Sequence, residues 1–225
     1  MKKFKKLIPA FCLLLVSAVL MGTSTFAWFS MNKTVTATGM QVTAKSDNPF
    51  LIIAAGDTVD GDSLNRTATS ASTADLAPVM PKATLTSANV AEPASWQYAY
   101  SIDPASSTKS GDYVACTTLT GYVASEKFAF DLSNKSGVDT AANLKLTGIT
   151  IAADKALNVV IVCGTNIYTH KATAADLTEV LAATMTKGTP VVITVYYYID
   201  GEDAKTYSDN AANLGGSVTM NFAID

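Results

Sequence analysis

The chain has 225 residues, 48% hydrophobic and only 16% charged, with a formal net charge of −3. One arginine (Arg66) in an acidic chain argues against a nucleic-acid binder, which needs a basic face to displace counterions. One histidine (His170) and three scattered cysteines give neither a zinc-site spacing nor an acid, base and nucleophile for an enzyme.

Residues 1–27 read as an export signal. Lys2, Lys3, Lys5 and Lys6 form a basic head, and Leu7 to Met21 is an uncharged apolar run. That run is about 15 residues long, short of the roughly 20 a membrane span needs. Thr25 and Ala27 then place small side chains where a signal peptidase reads them, so cleavage is expected between Ala27 and Trp28. The alternative is an uncleaved anchor, because Phe26, Trp28 and Phe29 extend the apolar stretch. Without the leader, 12 basic and 19 acidic residues remain, a net charge of −7. Residues 28–225 are expected to be one secreted domain. The 29 threonines of the full chain favour strands, since a β-branched side chain fits a pleated, half-buried surface.

The junction Gly22-Thr23-Ser24-Thr25-Phe26-Ala27-Trp28-Phe29-Ser30, followed by Thr34-Val35-Thr36-Ala37-Thr38-Gly39-Met40-Gln41-Val42, resembles the TasA/camelysin family. These are secreted matrix proteins of Gram-positive bacteria, exported through the signal peptidase SipW. The resemblance implies a jelly-roll subunit that polymerises into extracellular biofilm fibres. The proteolysis linked to camelysin is not expected here, because one histidine cannot build a His-Glu-x-x-His site.

Thr34 to Lys45 alternates, but its phase changes around Gly39. Val35 and Ala37 lie on one face, and Met40, Val42 and Ala44 follow at the opposite parity, the mark of a bulge or bend. Phe50 to Ala54 is a short apolar strand. Residues 55–95, rich in Ala, Ser, Thr and Asp and broken by Pro78, Pro81 and Pro93, read as a long surface excursion with one short strand near Ala83 to Leu85. Strands follow at Gln97 to Ile102, Asp112 to Thr117 and Gly121 to Leu132. Asn143 to Ile151 changes phase around Gly148, with Leu144 and Leu146 set against Ile149 and Ile151. Leu157 to Cys163 and Val191 to Ile199 are continuous apolar runs, as buried central strands require. Tyr168 closes a short strand, and Ser217 to Ile224 alternates cleanly. Thr173 to Met185 predicts one helix, capped by Thr173, with Leu177, Val180, Leu181 and Thr184 on a face. The fold class is all-β: a two-layer β-sandwich or jelly roll with one short α-helix.

Candidate chemistry is sparse. Cys116 and Cys163 survive cleavage. Outside the cell they can bridge, worth about 4 kcal/mol by chain entropy, or both can pack as small buried hydrophobes. Asp57, Asp60 and Asp62 around Gly61, and Asp200, Glu202 and Asp203 around Gly201, offer oxygens to calcium without matching a calcium-loop spacing. No metal or other cofactor is expected. Trp96, Tyr98 and Tyr100, with Tyr196, Tyr197 and Tyr198, are either a sugar-stacking platform or sheet packing. His170 has no nucleophile motif beside it.

The functional expectation is a structural protein that associates with itself. Cleavage frees Trp28, Phe29 and Met31 at the head of a strand that continues through Val35, Ala37, Met40 and Val42, a donor for a neighbouring sheet. Head-to-tail addition of this kind does not close and so yields fibres. The rival expectation is a monomeric surface adhesin or glycan-binding module acting through the 55–95 excursion.

Overall fold

The computed structural model describes residues 40–48, 50–72, 76–99, 113–151, 156–203 and 216–225. The leader, the Ala27–Trp28 junction, Trp28, Phe29, Met31, Val35, Ala37, Gly39 and Tyr100 lie outside these residues. In chain order the strands are β1 (Met40–Ser46), β2 (Leu51–Ala55), β3 (Thr67–Ser72), β4 (Met80–Pro81), β5 (Trp96–Ala99), β6 (Tyr113–Ala115), β7 (Val123–Leu132), β8 (Thr140–Ile151), β9 (Leu157–Cys163), β10 (Asn166–His170), β11 (Glu179–Thr186), β12 (Val191–Ile199) and β13 (Ser217–Ala223). Among the described residues the only helical element is one 3₁₀ turn, Pro93–Ser95.

Two five-stranded sheets face each other: sheet I in the order β11-β8-β13-β1-β3, and sheet II in the order β10-β9-β12-β7-β2. The chain is therefore an all-β sandwich. Every pairing within the two sheets is antiparallel except β1 with β13, which run side by side in parallel at the middle of sheet I. Between the sheets, Val42, Leu146, Val218, Met220 and Phe222 of sheet I meet Leu51, Ile53, Phe128, Phe130, Ile161 and Val195 of sheet II. Phe130 and Phe222 meet edge-on with ring centroids 4.7 Å apart, so they pin one sheet to the other.

The difference between the two sheets follows from what covers them. Sheet I has one solvated face, and β13 accordingly alternates: Val218, Met220 and Phe222 are buried while Ser217 is exposed. Its outer face carries a transverse row of threonines, because the register pairs Thr69 with Thr43, Thr43 with Thr219, and Thr219 with Thr150. The hydroxyls of Thr43 and Thr69 lie 3.2 Å apart. Sheet II is covered on both faces, which explains the continuous runs of β9 and β12. A small sheet in the order β4-β5-β6 packs over its outer face. There Trp96, fully buried, stands edge-on to Tyr198 at 4.8 Å and donates from Nε1 to the Val90 carbonyl at 2.9 Å.

Several expectations change. The 55–95 region is more than a surface excursion. It contributes β3 and β4, and it buries Leu76, Val79, Met80 and Val90 against the rest of the chain. No strand forms at Ala83 to Leu85. β3 escaped notice because Thr-Ala-Thr-Ser-Ala-Ser has little apolar contrast between its faces.

The helix at Thr173 to Met185 is also corrected: its second half is β11. The four-residue spacing of Leu181 and Met185, both buried, fits a strand's period of two as well as a helix's period of 3.6. Asp176 sits at φ 56°, in the left-handed region that a right-handed helix cannot use. Thr173 caps nothing helical. Its hydroxyl donates to the Ile151 carbonyl and accepts from the Ile151 N–H, both at 3.0 Å. The phase change around Gly148 is a real irregularity: the β13 ladder steps from Gly148 to Leu146 and leaves Thr147 out of the pairing.

Candidate functional site

A sandwich has two open sides, where the outermost strands of its sheets run. In this molecule they are built differently, and the difference starts with three side chains of β10. Asn166, Tyr168 and His170 fall at alternate positions and so share one face of the strand. Asn166 Nδ2 donates to the carbonyls of Leu181 and Val180 at 2.9 and 3.3 Å. Tyr168 Oη donates to the Val180 carbonyl at 2.8 Å. The His170 ring nitrogen Nε2 lies 2.9 Å from Glu179 Oε2. β10, the edge of sheet II, is thereby tied to β11, the edge of sheet I, and the β11 ladder is further broken by a register shift between Val180 and Ala182.

The connection between β10 and β11 completes this closure. Ala174 and Ile149 exchange both backbone bonds at 2.8 Å, and the Leu177 N–H donates to the Thr147 carbonyl at 2.9 Å. The end of β8 is covered in this way. Beside it Lys171 reaches Asp200 at 3.2 Å, Asn158 donates to Asp200 at 2.8 Å, and Asn158 Nδ2 lies 3.2 Å from the Tyr198 hydroxyl. Burial pushes that hydroxyl up to about 12; the Asn158 bond lowers it and the Asp200 charge raises it. His170 is thus a structural tie.

On the opposite side the two edge strands, β2 and β3, differ from each other. The β2 edge is covered, since the Ile53 N–H donates to the Asn65 carbonyl at 2.8 Å. After Asn65 and Arg66 the chain crosses into sheet I as β3, whose partner is β1. The Ser46 N–H donates to the Arg66 carbonyl at 2.9 Å. In an antiparallel ladder bonded pairs alternate, so Ala68, Ser70 and Ser72 turn their backbone groups towards β1. Thr67, Thr69 and Ala71 turn theirs outward, and among the described residues nothing accepts or donates to them. β3 carries no charge, no proline and no register shift against β1. Charges, prolines and bulges are among the devices that normally blunt a sheet edge. Ser70 on its inner face hydrogen-bonds Glu126 of sheet II, which holds the strand against the sandwich. At its foot lies a shallow polar depression of about 580 Å³ lined by Lys45, Asp47, Asn65, Arg66 and Thr67.

The remaining candidates take ordinary places. Cys116 and Cys163 are both buried free thiols, and burial pushes each above the usual thiol range. They sit on opposite faces of sheet II: Cys116 packs with Trp96, Cys163 with the core between the sheets. Trp96, Tyr197 and Tyr198 are core, and Tyr98 stacks on Tyr122 at 5.2 Å, half-buried. Tyr196 is half-buried against the same cluster, and Tyr100 lies outside the described residues. Asp57 pairs with Lys127, Asp60 accepts from the Asp62 N–H, and Asp62 meets Asn134 Nδ2. Asp200 accepts from the Glu202 N–H. Among the described residues no group of three His, Cys, Asp or Glu could hold a metal ion.

Of the expected donor strand, Met40 and Val42 are found in β1. Val42 is buried in the core, and β1 is paired on both sides within its own chain. These two positions are committed to the fold. The open edge was not foreseen. Only sheet order reveals it, although the uncharged alternation of Thr67 and Thr69 was its local trace.

The fold is an all-β sandwich in which side chains tie β10 to β11 and, among the described residues, the outer edge of β3 is unpaired. Comparison with known protein families, characterised proteins and solved structures finds no match to this chain.

Proposed function

We propose that this chain is an exported structural subunit whose work is self-association into extracellular filaments by β-strand addition. The observation that carries this reading is the outer edge of β3: uncharged, regular and unpaired among the described residues. Unprotected edges of this kind template the addition of another strand. The leader with its Ala27–Trp28 junction supports export and late release of the segment before β1. The likeness of residues 22–42 to the TasA/camelysin family supports the same assignment, with the signal peptidase as a transient partner and no cofactor.

The test is direct. Residues 28–225 retain every described strand, and negative-stain images of that species should show filaments. Deleting residues 28–32 should abolish them while the circular dichroism spectrum stays that of a β-protein. A species that stays monomeric at high concentration in size-exclusion chromatography would overturn the proposal.

A further inference from the structure

We infer that Lys171 and Asn158 join in an intramolecular amide bond, with Asp200 as the acid–base group that passes the protons. The inference goes beyond the self-association reading and does not depend on it.

Strand register brings the three side chains together. β9 and β10 pair antiparallel with His170 opposite Val159, so one step further along the same hairpin Lys171 stands opposite Asn158. On its other side Asn158 is paired with Tyr198 of β12. Residues directly opposite have Cβ atoms about 4.5–5.5 Å apart, within reach of a flexible lysine stem. Asn158 and Lys171 turn to the outer face of sheet II, the parity at which Val160, Tyr198 and Ile167 pack with Trp96. Asp200 follows Tyr198 by two residues and so comes to the same face, diagonal to Asn158.

The contacts converge on one atom. Asp200 Oδ2 lies 2.8 Å from Asn158 Nδ2 and 3.2 Å from Lys171 Nζ. A single carboxylate oxygen therefore touches both the nucleophile and the leaving group of an amide exchange. Asn158 and Asp200 are buried, 3% and 9% exposed. Val79 holds the chain against this end of β12: its N–H donates to the Ile199 carbonyl at 2.9 Å and its carbonyl accepts from the Gly201 N–H at 3.0 Å. Burial keeps water, the competing nucleophile, from the carboxamide. The Lys171 side chain comes in from the rim and is largely exposed, which leaves a way out for ammonia.

The chemistry balances without an oxidant or a co-reactant. Within the ion pair Lys171 passes one proton to Asp200 and becomes a free amine, which attacks Cγ of Asn158. Asp200 gives that proton to Nδ2 and takes another from the attacking nitrogen. The Cγ–Nδ2 bond breaks, and the ammonia takes up the last proton and leaves as ammonium. A secondary amide remains, and the positive charge of the lysine has gone with the ammonium. The bond closes the free end of the β9–β10 hairpin, whose other end is the turn at Gly164 and Thr165. β10, the edge of sheet II, is then fastened covalently as well as by its side-chain ties.

Mass spectrometry tests this on the purified protein. The intact mass, counted from its actual first residue, should fall below that of the sequence by one ammonia. A protease digest should yield one branched peptide that joins Asn158 to Lys171. Lys171→Arg keeps a positive charge beside Asp200 without a primary amine, and should show the full mass. Asp200→Asn keeps the shape of the side chain and removes the acid, and should slow the joining at least about a hundredfold, leaving most chains at full mass. A parent of full mass overturns the inference and leaves self-association standing. An ammonia loss that survives Lys171→Arg also overturns it, because asparagine alone loses ammonia by cyclising on its own backbone. Joining at the parental rate in Asp200→Asn overturns the part assigned to that carboxylate. Should Asp200→Asn fail to fold, Lys171→Arg, at an exposed position, decides by itself. A joined protein that never forms filaments counts against the self-association reading alone.

Discussion

The β10/β11 side and the β3 side of this sandwich are made from similar lengths of strand, yet they present different chemistry. On the first, Asn166 and Tyr168 donate to the Val180 and Leu181 carbonyls of β11, His170 meets the Glu179 side chain, and a crossing segment covers the end of β8. On the second, nothing among the described residues occupies the outward groups of Thr67, Thr69 and Ala71. The lesson is that edge protection is local: among the described residues side chains tie β10 to β11, and none reaches the outward backbone groups of β3. An edge left bare beside a closed one is the arrangement expected of a subunit that adds in one direction.

The comparison can be broken most severely at Ser70. Its N–H points towards β1, so Ser70→Pro should cost about 3 kcal/mol or more and detach β3. Thr69→Pro, one residue away, should shift the denaturation midpoint little. Equilibrium unfolding of the two variants side by side measures the contrast.

On the closed side, the Tyr198 hydroxyl is raised from its ordinary value of 10 to about 12. A raised tyrosine contributes stability that is fully present below pH 10 and lost as the pH climbs towards 12. The loss should be about 2–3 kcal/mol, read as a fall in melting temperature over that window, and Tyr198→Phe should abolish its pH dependence. A flat profile in the parent would show that the hydroxyl is not held as described.

A gentler test opens the closed side. Asn166→Ala with Tyr168→Phe removes the ties to the Val180 and Leu181 carbonyls and should cost about 2 kcal/mol in denaturant unfolding. It should also create a second competent edge, seen as branched or laterally associated filaments.

The smallest effect concerns two exposed carboxylates. The Lys187 hydrogen bond holds Asp139 below the usual carboxylate range, and the Lys145 hydrogen bond does the same for Asp225. Lowered values mean that their contribution is present above the ordinary range and lost as the pH falls through it. Carboxyl titration by NMR should place both midpoints low, and Lys187→Ala should return Asp139 alone to the ordinary value.

Much of the fold was legible in the sequence where a strand has two unlike faces or two buried ones. Ser217 to Ala223 alternates because sheet I has a wet side, and Leu157 to Cys163 does not because sheet II has none. The slip around Gly148 was readable as a change of parity. β11 was not, because a four-residue spacing of apolar side chains satisfies two periods at once. Nor was β3, whose Thr, Ala and Ser residues differ little in hydropathy. The donor segment expected before β1 lies mostly outside the described residues, whereas the bare outer edge of β3 depends on which strands are outermost, and sheet order leaves no local mark. The ties of Asn166, Tyr168 and His170 could have been found, since polar residues at alternate positions of a short strand call for partners on one face.

The parallel pairing of β1 with β13 bears on when the molecule can finish folding. β1 leaves the ribosome early and β13 last, and β13 is the strand that joins β1 and β3 to β8 and β11. Without β13, sheet I would be two separate pairs, β8 with β11 and β1 with β3, and the pairing of β1 with β13 closes a loop from Ser46 to Ser217, a long-range contact of the kind that slows folding. A chain threading outward through a membrane in that order would emerge incomplete and acquire its final shape only after its tail had crossed.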